Sequence, residues 1–270
     1  MIITAIVNQK GGVGKTTTAI QLAAALANRG MSVLAVDMDP QANLTGTLVP
    51  AGAAGEGALT VYEVLADGAD PRAAVVPSAH PHAGVLDVLP ASLFHKSLSV
   101  LDAAIGNNPD RYHRLSGALR RFEGLYDHVV IDTPPARDTL AYNALTAADG
   151  VVIPCEPSLY SADGIAPLKD SIDQTKAYTN PRVEIVGLLM TNYEHGTIVS
   201  KRMRSAVRDM AECLGTRVFD TPISHTTAVR KSQAAHTDIF TFDAKCSAAR
   251  DYDAFCGQFL ECVGGDGDGR

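Results

Sequence analysis

The sequence predicts an α/β fold, a doubly wound and mostly parallel sheet with helices on both faces. Three observations carry this expectation. Apolar runs without polar alternation recur along the chain, as in strands buried on both faces. Helix-period segments lie between those runs, which makes the order repeatedly βαβ. The first run opens into a glycine-rich loop that leads straight into a helix.

Taken in order, the first strand is Ile2 to Val7, and a helix of small and apolar residues follows from Thr16 to Arg29, ending at Gly30. Val33 to Val36 is the second strand, expected beside the first. Between Pro50 and Pro90 the chain is rich in Ala, Gly and Pro. A short helix near Val61 to Leu65 and strand pieces at Ala73 to Val76 and Val85 to Leu89 are expected there, as surface elaboration. His128 to Ile131, Val151 to Ile153 and Val183 to Met190 supply further strands. Asp138 to Ala148, Ser161 to Tyr178, Ser200 to Leu214 and Ala244 to Val263 supply further helices. No second core is visible, so residues 1–263 are expected to form one domain. The glycine and aspartate tail over 264–270 has nothing to bury and is expected to be disordered.

Composition sets outer bounds. The 270 residues are 46% apolar and 20% charged, enough for a full core. With 23 basic against 30 acidic residues the net charge is −7, which excludes a constitutive, tight DNA-coating protein. Five scattered cysteines without a C-x-x-C pair argue against disulfides and zinc and place the chain in a reducing cytoplasm. The N-terminal apolar stretch is too short for a signal peptide, and no run approaches the ~20 apolar residues of a membrane helix.

The loop reads Lys10-Gly11-Gly12-Val13-Gly14-Lys15-Thr16-Thr17. Its glycines let backbone N–H groups converge on an oxyanion, the helix N-terminus adds partial positive charge, and Lys15 supplies a mobile ammonium. Thr16 is placed to offer its hydroxyl to Mg²⁺. This is a nucleotide phosphate cradle of the P-loop NTPase kind. It departs from G-x-x-x-x-G-K-[ST] in carrying Gln9 where glycine is usual, followed by a second lysine, Lys10.

Two carboxylate-bearing strand ends accompany the loop. The first is Val36-Asp37-Met38-Asp39-Pro40-Gln41-Ala42-Asn43, where alternation puts Asp37 and Asp39 on the same side. Two like charges aimed at one place suit a metal or an attacking water. The second is His128-Val-Val-Ile-Asp132-Thr133-Pro134-Pro135, an apolar strand ending in aspartate, as where a carboxylate holds a magnesium-bound water. The turn after it is one that could change shape when a γ-phosphate is lost. Asn192, after the Val183 to Met190 strand, either reads an adenine edge or serves a turn.

The loop resembles the deviant Walker A of the ParA/MinD superfamily of ATPases, and D-M-D-P-Q-A-N is similar to that family's D-x-D-P-Q-x-N. The resemblance runs from Met1 to about Phe255. It implies ATP and Mg²⁺ as cofactors, with Gly11, Gly12, Val13, Gly14, Lys15, Thr16, Thr17 and Asn192 around the nucleotide. It also implies a homodimer on ATP in which Lys10 reaches the partner's phosphates, Asp39 orienting the attacking water, and Thr16, Asp37 and Asp132 supporting the metal.

Three branches of that family differ in ways the sequence addresses. None of the five cysteines is placed to hold an iron–sulfur cluster at a dimer axis. The C-terminal helix is amphipathic, as in a MinD-like membrane ATPase, but its acidic flanks oppose anionic lipid, so no membrane partner is expected. A ParA-like partition ATPase binds DNA non-specifically when dimeric. The stretch 198–231 carries seven basic against three acidic residues, a local +4 in a chain of −7. Lys201, Arg204 and Arg208 share a helix face there, with Arg230 and Lys231 further on. That branch implies double-stranded DNA and a ParB-like stimulating protein as partners, and nucleoid association. The chain reads Pro222-Ile-Ser-His225 where many chromosomal relatives carry I-P-R-N, which points towards a plasmid or mobile-element system. A positioner of protein cargo using the same ATPase cycle is the alternative.

Overall fold

The computed structural model describes residues 1–93, 100–156, 165–196 and 198–264. Seven strands and twelve helices are found among them. In chain order they are β1 (Ile2–Ile6), α1 (Lys15–Asn28), β2 (Ser32–Asp37), α2 (Asn43–Leu48), α3 (Val61–Ala66), α4 (Pro71–Ala74), β3 (Val76–Pro77), β4 (Val85–Leu89), α5 (Leu101–Ile105) and α6 (Arg114–Leu119). Then follow β5 (His128–Asp132), α7 (Thr139–Ala147), β6 (Gly150–Cys155), α8 (Ile165–Tyr178), β7 (Glu184–Met190), α9 (Ile198–Cys213), α10 (Thr227–Ala234), α11 (Ile239–Asp243) and α12 (Ser247–Gly264).

The strands form one sheet in the order β3-β4-β2-β5-β1-β6-β7, parallel except for β3. Alternate residues of each central strand feed two separate cores. Ala5, Leu34, Val36, Val129 and Ile131 pack beneath α3, α6, α7 and α8. Ile6, Val33, Ala35 and Val130 pack beneath α1 and α12. Burial on both faces is why these strands read as unbroken apolar runs.

Four expectations need correction. The stretch between Pro50 and Pro90 is more than surface elaboration, because β4 pairs with β2 within the sheet and Val61, Leu65 and Leu89 are buried in the core. The second strand does not lie beside the first, because β5 is inserted between them. The crossover through α1 skips one position, and the later strand fills it. Ala73 to Val76 is mostly not strand. Asp70 accepts from the Arg72 amide and Pro71 takes the first helical position, so the segment turns as α4 before the two-residue β3. The last long helix starts at Ser247 rather than Ala244. Residues 161–164 of the expected Ser161 helix and 265–270 of the expected tail lie outside the described residues.

The amphipathic helix α12 buries Ala248, Ala249, Tyr252, Phe255, Cys256 and Phe259 against the α1 side of the sheet. Arg29 closes its exposed flank with an ion pair to Asp253 at 2.8 Å. No described helix is long and apolar enough to cross a membrane.

Asp238, fully buried, caps α11 by accepting from the amides of Phe240 and Thr241 and from the Thr241 hydroxyl. His82 Nε2 lies 3.7 Å from its carboxylate, inside ion-pair range. Burial pushes this carboxyl up, but His82 and Thr241 outweigh it and hold the pKa at about 2. A folded value below the unfolded 3.8 contributes stability above pH 4 that is lost as pH falls towards 2. Asp238→Asn should therefore lower unfolding free energy by about 1–2 kcal/mol at pH 7. In denaturant titrations, the gap from wild type should close as pH drops from 4 towards 2.

Candidate nucleotide site

The site is assembled by register. Ile6 at the end of β1 pairs with Asp132 at the end of β5, and Asp132 pairs with Asp37 at the end of β2. The inserted strand thus sets Asp132 between the loop that leaves β1 and the acidic end of β2.

Gly12 and Gly14 adopt φ of 77° and 86°, where a Cβ is strained. Gly14 starts α1, and no side chain caps this helix, which leaves its first-turn amides to an anion. Three threonine and asparagine bonds pin the surroundings. Thr191 donates to the Val13 carbonyl at 2.9 Å, Thr133 to the Ile6 carbonyl at 2.7 Å, and Asn8 to the Pro154 carbonyl at 2.8 Å. Sequence reasoning did not single out Thr191. Its signal was a polar residue directly after a strand that runs to the same sheet edge.

Lys15 is nearly buried, and its Nζ donates to the Lys10 carbonyl at 3.2 Å. Burial lowers its pKa, against the pull of Asp132 and Asp39. Asp39 is also buried and accepts from the Gln41 amide at 2.9 Å. Asp37 and Asp132 are both fully buried and have different partners. Asp37 accepts from the Thr45 amide and hydroxyl at 2.8 and 2.7 Å and from the Asp39 amide at 3.1 Å. Burial raises it to about 6, with Thr45 offsetting part of the rise. Its carboxylate thus anchors α2 and the turn at Asp39.

Asp132 has both oxygens buried without a hydrogen-bond partner. Burial and then the charge of Asp37 push it well above the carboxylate range, and the nearby Thr16 hydroxyl opposes that. A divalent cation fits this arrangement, because it would satisfy the orphaned oxygens and neutralise the crowded charge. Among the described residues no set of three His, Cys, Asp or Glu side chains could hold an ion unaided. One carboxylate with the Thr16 hydroxyl suits magnesium, which keeps several waters and takes phosphate oxygens.

Asn192 has φ of 55°, donates to Glu156 at 2.7 Å and pairs with the His225 ring. It sits at the end of β7 as a left-handed turn residue. Arg204 is half-exposed and Arg208 exposed on α9, and Arg230 and Lys231 are exposed on α10. Lys201 lies in α9, and its side chain is outside the described part.

Residues 1–185 match the model of a family described as an AAA domain. Over 256 residues the chain is 35% identical to the chromosome partitioning protein ParA of Caulobacter vibrioides, covering 93% of this chain and 90% of the relative. The chain belongs to the ParA/MinD-type ATPases. It is 39% identical over 219 residues to the chromosome-partitioning ATPase Soj of Thermus thermophilus, covering 81% and 79%. A cobyrinic acid a,c-diamide synthase from Mycobacterium smegmatis with bound ADP and magnesium aligns with a TM-score of 0.82 and 30% identity, over 97% of this chain and 95% of that one. The MinD of Pyrococcus horikoshii with Mg-ADP shares the fold at a TM-score of 0.76 and 20% identity, over 99% of each chain.

As a member of this family the chain is an ATPase whose cofactors are ATP and Mg²⁺. Bound Mg-ATP supplies the scissile phosphoryl group and the metal's charge. Lys15→Ala should weaken ATP binding by ~100-fold or more, the worth of a buried charge-assisted contact. Calorimetric titration with Mg-ATP reads this, and retained affinity would remove Lys15 from the cradle.

Proposed function

We propose that this chain is a DNA-partitioning ATPase that dimerises on Mg-ATP, binds double-stranded DNA non-specifically in that state, and hydrolyses ATP slowly until a ParB-like partner stimulates it. The observation that carries the reading is the set of cations Arg208, Arg230 and Lys231, exposed, and Arg204, half-exposed, on a chain of net charge −7. Such a set makes phosphate contacts that are weak in one copy and additive in two. The partitioning names of the Caulobacter and Thermus relatives support the same reading.

In this reading the loop amides, Lys15 and Thr17 hold phosphates, and Thr16 with Asp132 holds the metal. Lys10 crosses to the partner copy's phosphates, where a cation delivered in trans offsets charge developing on the transferred group. Asp39 orients the attacking water. Asp37 acts indirectly, by fastening the Asp39 amide and α2 to the end of β2. Hydrolysis then ends the DNA-bound, nucleoid-associated state, which makes it a timer.

The α12 stripe is buried in the core, which favours DNA over a membrane surface as the place of assembly. Cys155 and Cys256 are buried, and burial pushes both thiols up to about 12. They are thus poor candidates for the nucleophile of an amide-transferring ligase.

Binding to DNA with ATP, with ADP and without nucleotide, at two salt concentrations, tests the proposal. Salt-sensitive binding that requires ATP is expected, and Arg204→Ala with Arg208→Ala should lower the salt slope by about two. ATP-dependent liposome sedimentation without DNA binding, or fast turnover that requires a small-molecule substrate, would overturn it. Asp39→Ala should retain ATP and the dimer but slow hydrolysis by ~100-fold or more, and normal single-turnover hydrolysis would strip Asp39 of its role.

A further inference from the structure

The short helix α10 is tied to both walls of the phosphate site. On one side Gln233 Nε2 donates to the Thr17 hydroxyl oxygen at 2.8 Å, and the Ile239 amide just beyond donates to Gln21 at 2.8 Å. Both acceptors belong to α1, the helix that opens at the phosphate loop. On the other side His236 Nδ1 lies 2.9 Å from the Gly46 carbonyl of α2, the helix that Asp37 fastens through Thr45. A cleft of about 440 Å³ separates the walls, with Thr16 and Asn43 lining it and Gln233 and His236 closing it.

Among the described residues His236 is also one of three non-glycine residues with positive φ, at 51°. That conformation costs about 1–2 kcal/mol and persists only where surrounding contacts over-determine it. Here the contacts are the Gly46 carbonyl on its ring and His80 Nε2, which donates to its carbonyl at 3.1 Å. The end of α10 is therefore held at a specified place relative to the phosphate loop and α2.

We propose that Gln233 is a positioning residue that couples occupancy of the phosphate site to α10. Accepting from Gln233 leaves the Thr17 O–H to donate towards an anion in the cradle. Donation by a hydroxyl makes its oxygen a better acceptor, so an anion there strengthens the Gln233 bond cooperatively. Arg230 and Lys231 sit within one turn of Gln233, so a change in how firmly Gln233 is held acts on the same hydrogen-bonded turn. The consequence for DNA rests on the partitioning reading above, whereas the coupling itself does not.

Hydrogen exchange of the amides over 228–235, with and without Mg-ATP, tests the coupling. Wild type should show exchange slowed on the order of fivefold by Mg-ATP. Gln233→Ala should lose that response while ATP affinity stays within about threefold. Gln233→Glu separates coupling from mere structure, because its carboxylate still accepts from the Thr17 hydroxyl but takes the proton that an anion needs. It should keep near-wild-type exchange without nucleotide and lose the slowing. A wild type that does not respond, or either variant responding as wild type does, would overturn the proposal. A wild-type response in α10 without ATP-dependent DNA binding would support the coupling and remove the partitioning reading alone.

Discussion

The site depends on the burial of like charge at one sheet edge. Asp37 and Asp132 end neighbouring strands in register, both are fully buried, and Asp39 follows within two residues. Such a cluster is unfavourable unless each carboxylate finds donors or a cation. Asp37 finds its donors in the chain, at Thr45 and the Asp39 amide. Asp132 does not, and that asymmetry divides their work. One carboxylate is satisfied by the wall of the cleft, and the other has an environment that a cation would fit.

Rigidity around the loop serves the same end. Thr191, Thr133 and Asn8 tie the loop and the turn after Asp132 to three strand ends, so bonds within the chain shape the cradle. Gln9 and Arg137 both donate to Ser171 of α8, at 3.3 and 3.0 Å, which joins the residue before Lys10 to the turn after Asp132. A phosphate loop gains from this, because the cost of ordering it is met within the chain before a ligand arrives. The phosphate loop, the turn after Asp132 and α8 share one polar junction there.

Much of this was legible before the fold was known, at particular residues. The run Ile2 to Val7, the glycines before Lys15 and the aspartates closing apolar strands are contiguous signals whose chemistry follows from spacing. The short helices α2, α5, α6, α10 and α11 went unnoticed because each is too brief for a 3.6-residue period to emerge. Gln233 had no signal at all, since its meaning comes from Thr17, 216 residues away.

The sequence by itself determined the parallel sheet buried on both faces, the phosphate loop with its two lysines, and the strand ends that carry Asp37, Asp39 and Asp132. These rest on local periodicity and on backbone demands that only certain residues meet. Tertiary structure decided that β5 enters between β1 and β2, that Asp37 is consumed by Thr45 while Asp132 stays unpaired, and that α10 is bolted to the loop helix. The reason is physical: strand order and hydrogen-bond partners are settled by packing between segments far apart in the chain, where no local pattern records which donor arrives first.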